Sequence, residues 1–448
     1  MNTKNPMGYK PIFPLLMSMA FPPMISMLIQ SLYNIIDSIF IAQLGENALT
    51  AVSLIYPLQN LSLAFSCGIG IAMNALIARH LGEHDEKKAS YVASQGMWMS
   101  ILHSMIFVII GLFFIKPFLC LFTSQQEVID YGMQYGMIVI TLTFFSFIHI
   151  AIEKIFQACG SMIVPMIMQI VGAVVNIILD PIFIFGYFHV PALGVSGGAI
   201  ATIIGQMSAC LLSLYMFKHY NHSLKLSLKN RIDLSTFQKL YEIAIPSGVM
   251  MCMPSVLVSI LNGILAQISQ TAVAFFGVYF KLQTFVFMPS NGVIQGMRPL
   301  MSFNYGAENK ERMNQTLTCS LLTIGTILCI GTLLFFLWPE MILSLFHANE
   351  DMLKIGIVGL RILSLSFVLS TGGIVMSGVF ESLGLGKLSL LISLLRQLFI
   401  IIPLSLLLIP ILGLNGIWIT FPLSELIASF IAFFFYRKHY LRMLNSSL

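Results

Sequence analysis

The chain has 448 residues, of which 57% are hydrophobic and 9% charged, with a formal net charge of +5. A soluble domain carries about 25% charged residues, so this composition excludes a water-faced globule and makes lipid the expected solvent. Barrel strands would alternate polar with apolar over about ten residues; the long apolar runs here do not, and spans of roughly 20 apolar residues indicate helices.

Taken in order, twelve spans are expected near residues 13–43, 50–78, 91–115, 131–157, 163–187, 196–217, 240–267, 273–301, 314–338, 353–380, 388–410 and 415–436. The first and eighth are long, which predicts tilt or a kink, and Pro22 and Pro23 should kink the first. Residues 1–10 are short and polar and the apolar run after them is too long for a signal peptide, so no cleavable leader is expected. With the N-terminus placed inside, eighteen of the 23 Lys and Arg fall on inside segments, only Lys116 and Lys354 on outside ones, and Lys281, Arg361 and Arg396 within spans. That bias predicts both termini in the cytoplasm of a multi-pass protein of the cell membrane. The positive charge is thus a topology signal and gives no reason to expect a nucleic-acid partner.

The chain repeats itself. A shift of 224 residues aligns the halves without a gap from about residue 20 to 160. Pro22 meets Pro246, Gly68 meets Gly292, Met73 meets Met297, Gly82 meets Gly306 and Gly132 meets Gly356. Further on, the shift is 219, where Gly197 meets Gly416. Six spans per half is even, so this is a parallel repeat about an axis along the membrane normal. The expected fold is an all-α polytopic membrane protein of twelve helices in two six-helix lobes: residues 1–217, a polar cytoplasmic linker at 218–239, and residues 240–448. A cavity between the lobes would suit alternating access.

Ionisable residues inside spans are costly and need a reason. Asp37 lies in span 1 and Asp180 in span 5; Asn34 precedes the first by three residues and Asn176 the second by four. Each pair therefore shares a helix face. Carboxylate and carboxamide oxygens suit a proton or a hard cation such as Na⁺, and Pro181 frees the carbonyl of Ile177 beside them. Their repeat partners are Leu261 and roughly Leu404, so the acidic pair belongs to the first lobe alone. The second lobe carries Lys281, Arg361 and Arg396 instead, to pair with buried polar groups or line the cavity. Glu153, near the cytoplasmic end of span 4, has two readings: neutralised at the interface by Lys154, or a carboxylate for a cationic substrate. Glu381 and Glu425 have no evident role. The 28 methionines suit an adaptable apolar pocket. Seven cysteines without a CxxC read as packing residues, and no HExxH, Walker lysine motif or metal-ligating cluster is present.

Several stretches resemble the multidrug and toxic compound extrusion (MATE) family, most of all its MepA-type bacterial members. They are YNIIDSIFIAQLGENALTAVSL at 33–54, ARHLGEHDEKKA at 78–89, FQACGSMIVPM at 156–166, LGVSGGAIATIIGQ at 193–206 and FNYGAENKERM at 303–313. The resemblance implies a non-enzymatic efflux antiporter, expected to act as a monomer without cofactors and to export small amphipathic, mainly cationic drugs in exchange for H⁺ or Na⁺. Carried over residue by residue, the family's cation site falls on Asp37, Asn176, Asp180 and Thr202, with Asn34 nearby. Some members carry acids in spans 7 and 10; here span 7 has only Glu242 at its start and span 10 has Arg361. A lipid-linked precursor flippase of the same superfamily and an ion channel remain as alternatives.

Overall fold

The computed structural model describes residues 5–220, 224–227, 229, 231–346 and 349–445, with side chains described as far as residue 438. The chain ends and residues 221–223, 228 and 230 of the expected linker lie outside the described residues.

The described residues are helical throughout, with no strand. The first half comprises α1 (Ile12–Ala42), α2 (Glu46–Gly82), α3 (Glu86–Phe113), the short α4 (Ile115–Cys120), α5 (Gln126–Thr141), α6 (Phe144–Ala158), α7 (Ile163–Phe185) and α8 (Val195–Tyr220). The second comprises α9 (Leu234–Ala266), α10 (Gln270–Gly306), α11 (Lys310–Leu337), the short α12 (Pro339–Ser344), α13 (Glu350–Ser382), α14 (Gly386–Leu394), α15 (Ile401–Leu412) and α16 (Leu414–Asn445). Eleven stretches are long and apolar enough to cross a membrane, and α5 with α6 makes a twelfth when taken as one bent span.

That bend departs from the straight span expected at 131–157. The helix breaks at Leu142–Thr143 and turns by 40°. Thr143 donates its hydroxyl to the carbonyl of Ile140 at 2.9 Å, a local bond that competes with the helical ladder. The equivalent α13 runs unbroken for 33 residues. Pro22 and Pro23 do not end α1, which continues through both as helix. In the second half, a π-helical turn at Leu395–Phe399 separates α14 from α15.

The repeat seen in the sequence is a packing symmetry. α1 lies on α10 and α2 on α9, so each half meets the other through equivalent helices. A Cβ on Gly68 would strike the backbone at Ala244, and one on Gly292 would crowd the backbone of Ala20 and Met24. Residues 20 and 244 are themselves one repeat apart. The α2–α3 and α10–α11 loops also match: His84 and Glu308 both have positive φ, and Asp85 and Asn309 both cap the next helix, accepting from Lys88 N–H at 2.9 Å and Arg312 N–H at 3.1 Å. The described part of the connection between the halves is fastened to α3. Gln95 donates to the Arg231 carbonyl at 2.8 Å and accepts from Asp233 N–H at 3.0 Å, while Ser94 Oγ accepts from Ser227 N–H at 3.0 Å.

Candidate functional site

A cavity of about 950 Å³ opens within the first half. Its wall comes from α1, α2, α5, α6, α7 and α8; Met251 and Gln295 are the second half's contribution. This space lies mostly inside the six-helix unit that carries the acids, with the second half at its edge. Tyr135 of α5 and Glu153 of α6, on either side of the bend, both line it.

Asp37, Asn34, Asn176 and Thr202 all line this cavity. Asp180 sits just behind, with no exposed surface, and receives the Asn176 amide on Oδ1 at 3.3 Å. The same amide nitrogen reaches Thr202 Oγ1 at 3.4 Å. Asp37 lies close enough for its charge to act on Asp180, and both lie close enough to act on Tyr33. Asp37 Oδ1, Asp180 Oδ2 and Asn176 Oδ1 are each buried without a hydrogen-bond partner. Buried polar atoms are normally paired, so these three orphaned oxygens on α1 and α7 are of the type that could accept a proton or a hard cation. Asn34 lines the cavity but is exposed, and no bond ties its amide to Asp37.

A second polar cluster faces the same space. Glu153 is 3% exposed and Lys154 8%, so the pair is buried in the wall. Lys154 Nζ donates to Glu153 Oε1 at 2.9 Å and to Gln157 Oε1 at 3.0 Å. Gln157 Nε2 donates to Glu153 Oε1 at 2.9 Å, and Gln169 Nε2 of α7 to Glu153 Oε2 at 2.8 Å. His149 Nε2 stands 3.9 Å from that oxygen. Gly70 of α2 makes room for the lysine stem, since a Cβ there would stand 2.6 Å from Lys154 Cγ. Sequence reasoning passed over His149 and Gln157, although their spacing of four on either side of Glu153 puts all three on one helix face.

The cations of the second half lie outside this wall. Arg396, on the π-helical turn, makes a two-pronged pair with Glu425 at 2.7 and 2.8 Å, which gives Glu425 its role. Glu381 accepts from Ser247 at 2.8 Å and pairs with Arg298 at 2.5 Å. Arg361 is exposed, donates to the Phe336 carbonyl at 3.3 Å and lies over that ring. Lys281 is exposed.

Comparison with known proteins concerns the chain as a whole. A multidrug export protein MepA from Staphylococcus haemolyticus (strain JCSC1435) is 28% identical over 425 residues, covering 94% of this chain and 93% of that protein. MepA from Staphylococcus aureus (strain MSSA476) is 26% identical over 412 residues, covering 91% and 89%. Among solved structures, an outward-facing multidrug resistance MATE family transporter of the MOP superfamily matches with a TM-score of 0.91 at 22% identity, covering 99% of this chain and 100% of that one. A MOP superfamily transporter from Pyrococcus furiosus, described as having a binding pocket of reversed polarity, matches with a TM-score of 0.90, also at 22% identity and with 99% of each chain covered. These structural matches share the twelve-helix fold. The MatE family model matches residues 22–182 and 246–407, one block in each half of the repeat, and the chain belongs to the MatE family.

Proposed function

We propose that this chain is a secondary active multidrug exporter of the cell membrane, which expels amphipathic, mainly cationic compounds in exchange for H⁺ or Na⁺ by alternating access. The observation that carries the reading is one cavity holding both requirements. Its wall offers Met27, Met162, Met166, Tyr33 and Tyr56 to an apolar or aromatic ligand. Its acidic end offers the orphaned oxygens of Asp37, Asn176 and Asp180 to the coupling ion. The names of the MepA relatives support the same class.

The mechanism follows from sharing. Two neighbouring carboxylates, one fully buried, cannot both stay charged cheaply, so a proton or cation taken up there removes a charge that a cationic ligand would otherwise meet. Ion and ligand then weaken each other's binding by the same factor, as exchange requires. α1 carries Asp37 and also packs on α10 of the other half, so it is the element that can pass the change to the interface. The reading places the termini and the 218–239 connection in the cytoplasm and takes the monomer as the transport unit. A flippase for anionic headgroups would want several cations in the wall; Lys154 is the one lysine or arginine there. The test is ethidium accumulation in cells with and without the protein, followed by ion-driven uptake into proteoliposomes. Lowered accumulation and gradient-dependent dye movement are expected; unchanged accumulation together with no movement under any ion gradient would overturn the reading.

A further inference from the structure

The cavity has two unlike ends. Asp37 lies five residues before the end of α1, and Lys154 four before the end of α6. These helix ends are an odd number of crossings apart, so they lie at opposite membrane faces. One end is acidic with unpartnered oxygens. The other is charge-neutral, because Lys154 cancels Glu153 at 2.9 Å.

The bonding at the neutral end shows what it lacks. Glu153 is satisfied: Oε1 accepts from Lys154 and Gln157, and Oε2 from Gln169. An ammonium has three N–H groups, and Lys154 uses two, on Glu153 and Gln157. His149 is 9% exposed, lines the cavity, and leaves Nδ1 buried without a partner. The open positions at this end are thus a charged donor and a ring nitrogen, held in the wall. A second ligand cation finds nothing here, since the carboxylate is already neutralised. A hydrogen-bond acceptor or an anionic group finds a pre-positioned ammonium.

We propose that Lys154 is a specificity-determining residue which receives the acceptor or anionic end of an amphipathic ligand whose cationic end faces Asp37. This rests on the exporter reading above and adds the orientation of the ligand. Selection by such a site works both ways: it rewards a ligand with separated opposite polarity and disfavours a dication, whose second charge would be desolvated with no free carboxylate to receive it.

The test uses a matched pair of fluorescent aromatic amines, one carrying a free carboxylate and the other its methyl ester, with binding measured on the purified full chain and efflux measured in proteoliposomes. Wild type should bind both and favour the carboxylate form. Lys154→Met should weaken the carboxylate form by about tenfold, the loss of one charge-assisted hydrogen bond, while leaving the ester nearly unchanged. Because that variant leaves Glu153 charged and buried, Glu153→Gln with Lys154→Met serves as the neutral control, and it should show the same loss of preference. Equal effects on both ligands in the double variant, or a preference that survives it, would overturn the role of Lys154 and leave the exporter reading standing. Wild type that neither binds nor moves either ligand would instead overturn the exporter reading and this inference with it.

Discussion

Gly82 and Gly306 close-pack the two halves reciprocally: a Cβ on Gly82 would run into the carbonyl oxygen of Phe303, and one on Gly306 into that of Arg79. Residues 79 and 303 are one repeat apart, as are 82 and 306. The same helix ends place the Arg79 guanidinium 4.8 Å from the Tyr305 ring centre. Backbone meets backbone here, so no side chain can move aside. Gly82→Leu and Gly306→Leu should each destabilise the protein by about 1–3 kcal/mol through overpacking, and by similar amounts. Thermal melts of the two detergent-solubilised variants check this; a large drop in one with none in the other would contradict the symmetric contact.

The register of that contact was legible in the sequence, because a constant shift survives wherever both copies need the same small residue. The reason for it was not, since two carbonyls must be brought to the glycines by helices 224 residues apart. Asp37, Asp180 and Asn176 stood out for a related reason: ionisable and amide groups are rare in apolar runs, and in the structure Asp37 and Asn176 line the cavity while Asp180 bonds Asn176 from behind. Thr202 became visible only through family resemblance, because a threonine in a span is unremarkable. Gln169 was hidden because its partner Glu153 is on another helix. The break at Thr143 carries neither proline nor glycine to announce it.

Arg396 and Glu425 hold the π-helical turn to α16, with side chains 11% and 14% exposed. Removing one partner strands a buried charge. Arg396→Met should cost about 3–5 kcal/mol, whereas Arg396→Met with Glu425→Met should recover most of it. The double-mutant cycle on melting temperature reads the difference, and additive losses would show that the pair is not coupled.

Asp233 caps α9 outside the spans. Its carboxylate accepts from the Thr236 hydroxyl at 2.7 Å and from the Ser235 hydroxyl and N–H, and these bonds hold its pKa down to about 2. A carboxyl depressed in the folded state stabilises above its ordinary value of 3.8 and loses that contribution as pH falls through about 2. Asp233→Asn should therefore lower the melting temperature at pH 6 while shrinking the further loss on acidification to pH 2.5. If wild type and variant lose the same amount between those pH values, the ionised cap is not the cause.

The charge bias places Lys229 inside and Lys116 outside, and both side chains are exposed. In a background with the seven native cysteines replaced by serine, Lys116→Cys should react with an impermeant maleimide in intact cells. Lys229→Cys should react only after permeabilisation. The reverse pattern would invert the topology and exchange the faces at which the acidic and neutral ends of the cavity lie.

The coupling proposal makes the sharpest demand. Asp180 has no exposed surface and one oxygen bound to Asn176, with the other unpartnered; Asp37 also has an unpartnered oxygen and lines the cavity. Asparagine in place of Asp180 keeps the shape and removes the titratable charge. The variant should fold, bind ligand, and lose ion-driven efflux to near background, because ion binding no longer changes the charge that the ligand meets. Asp37→Asn should impair efflux in the same way. It is the more accessible of the two, so part of its role can pass to water and to Asn34 beside it, and its loss should be smaller. Proteoliposomes with imposed H⁺ or Na⁺ gradients separate the cases and identify the ion, while ligand binding without a gradient shows that the site survives. Wild-type coupled transport by Asp180→Asn would end the proposal. The coupling group would then have to be sought at Glu153, the remaining carboxylate in the cavity wall, and Glu153→Gln would become the decisive variant.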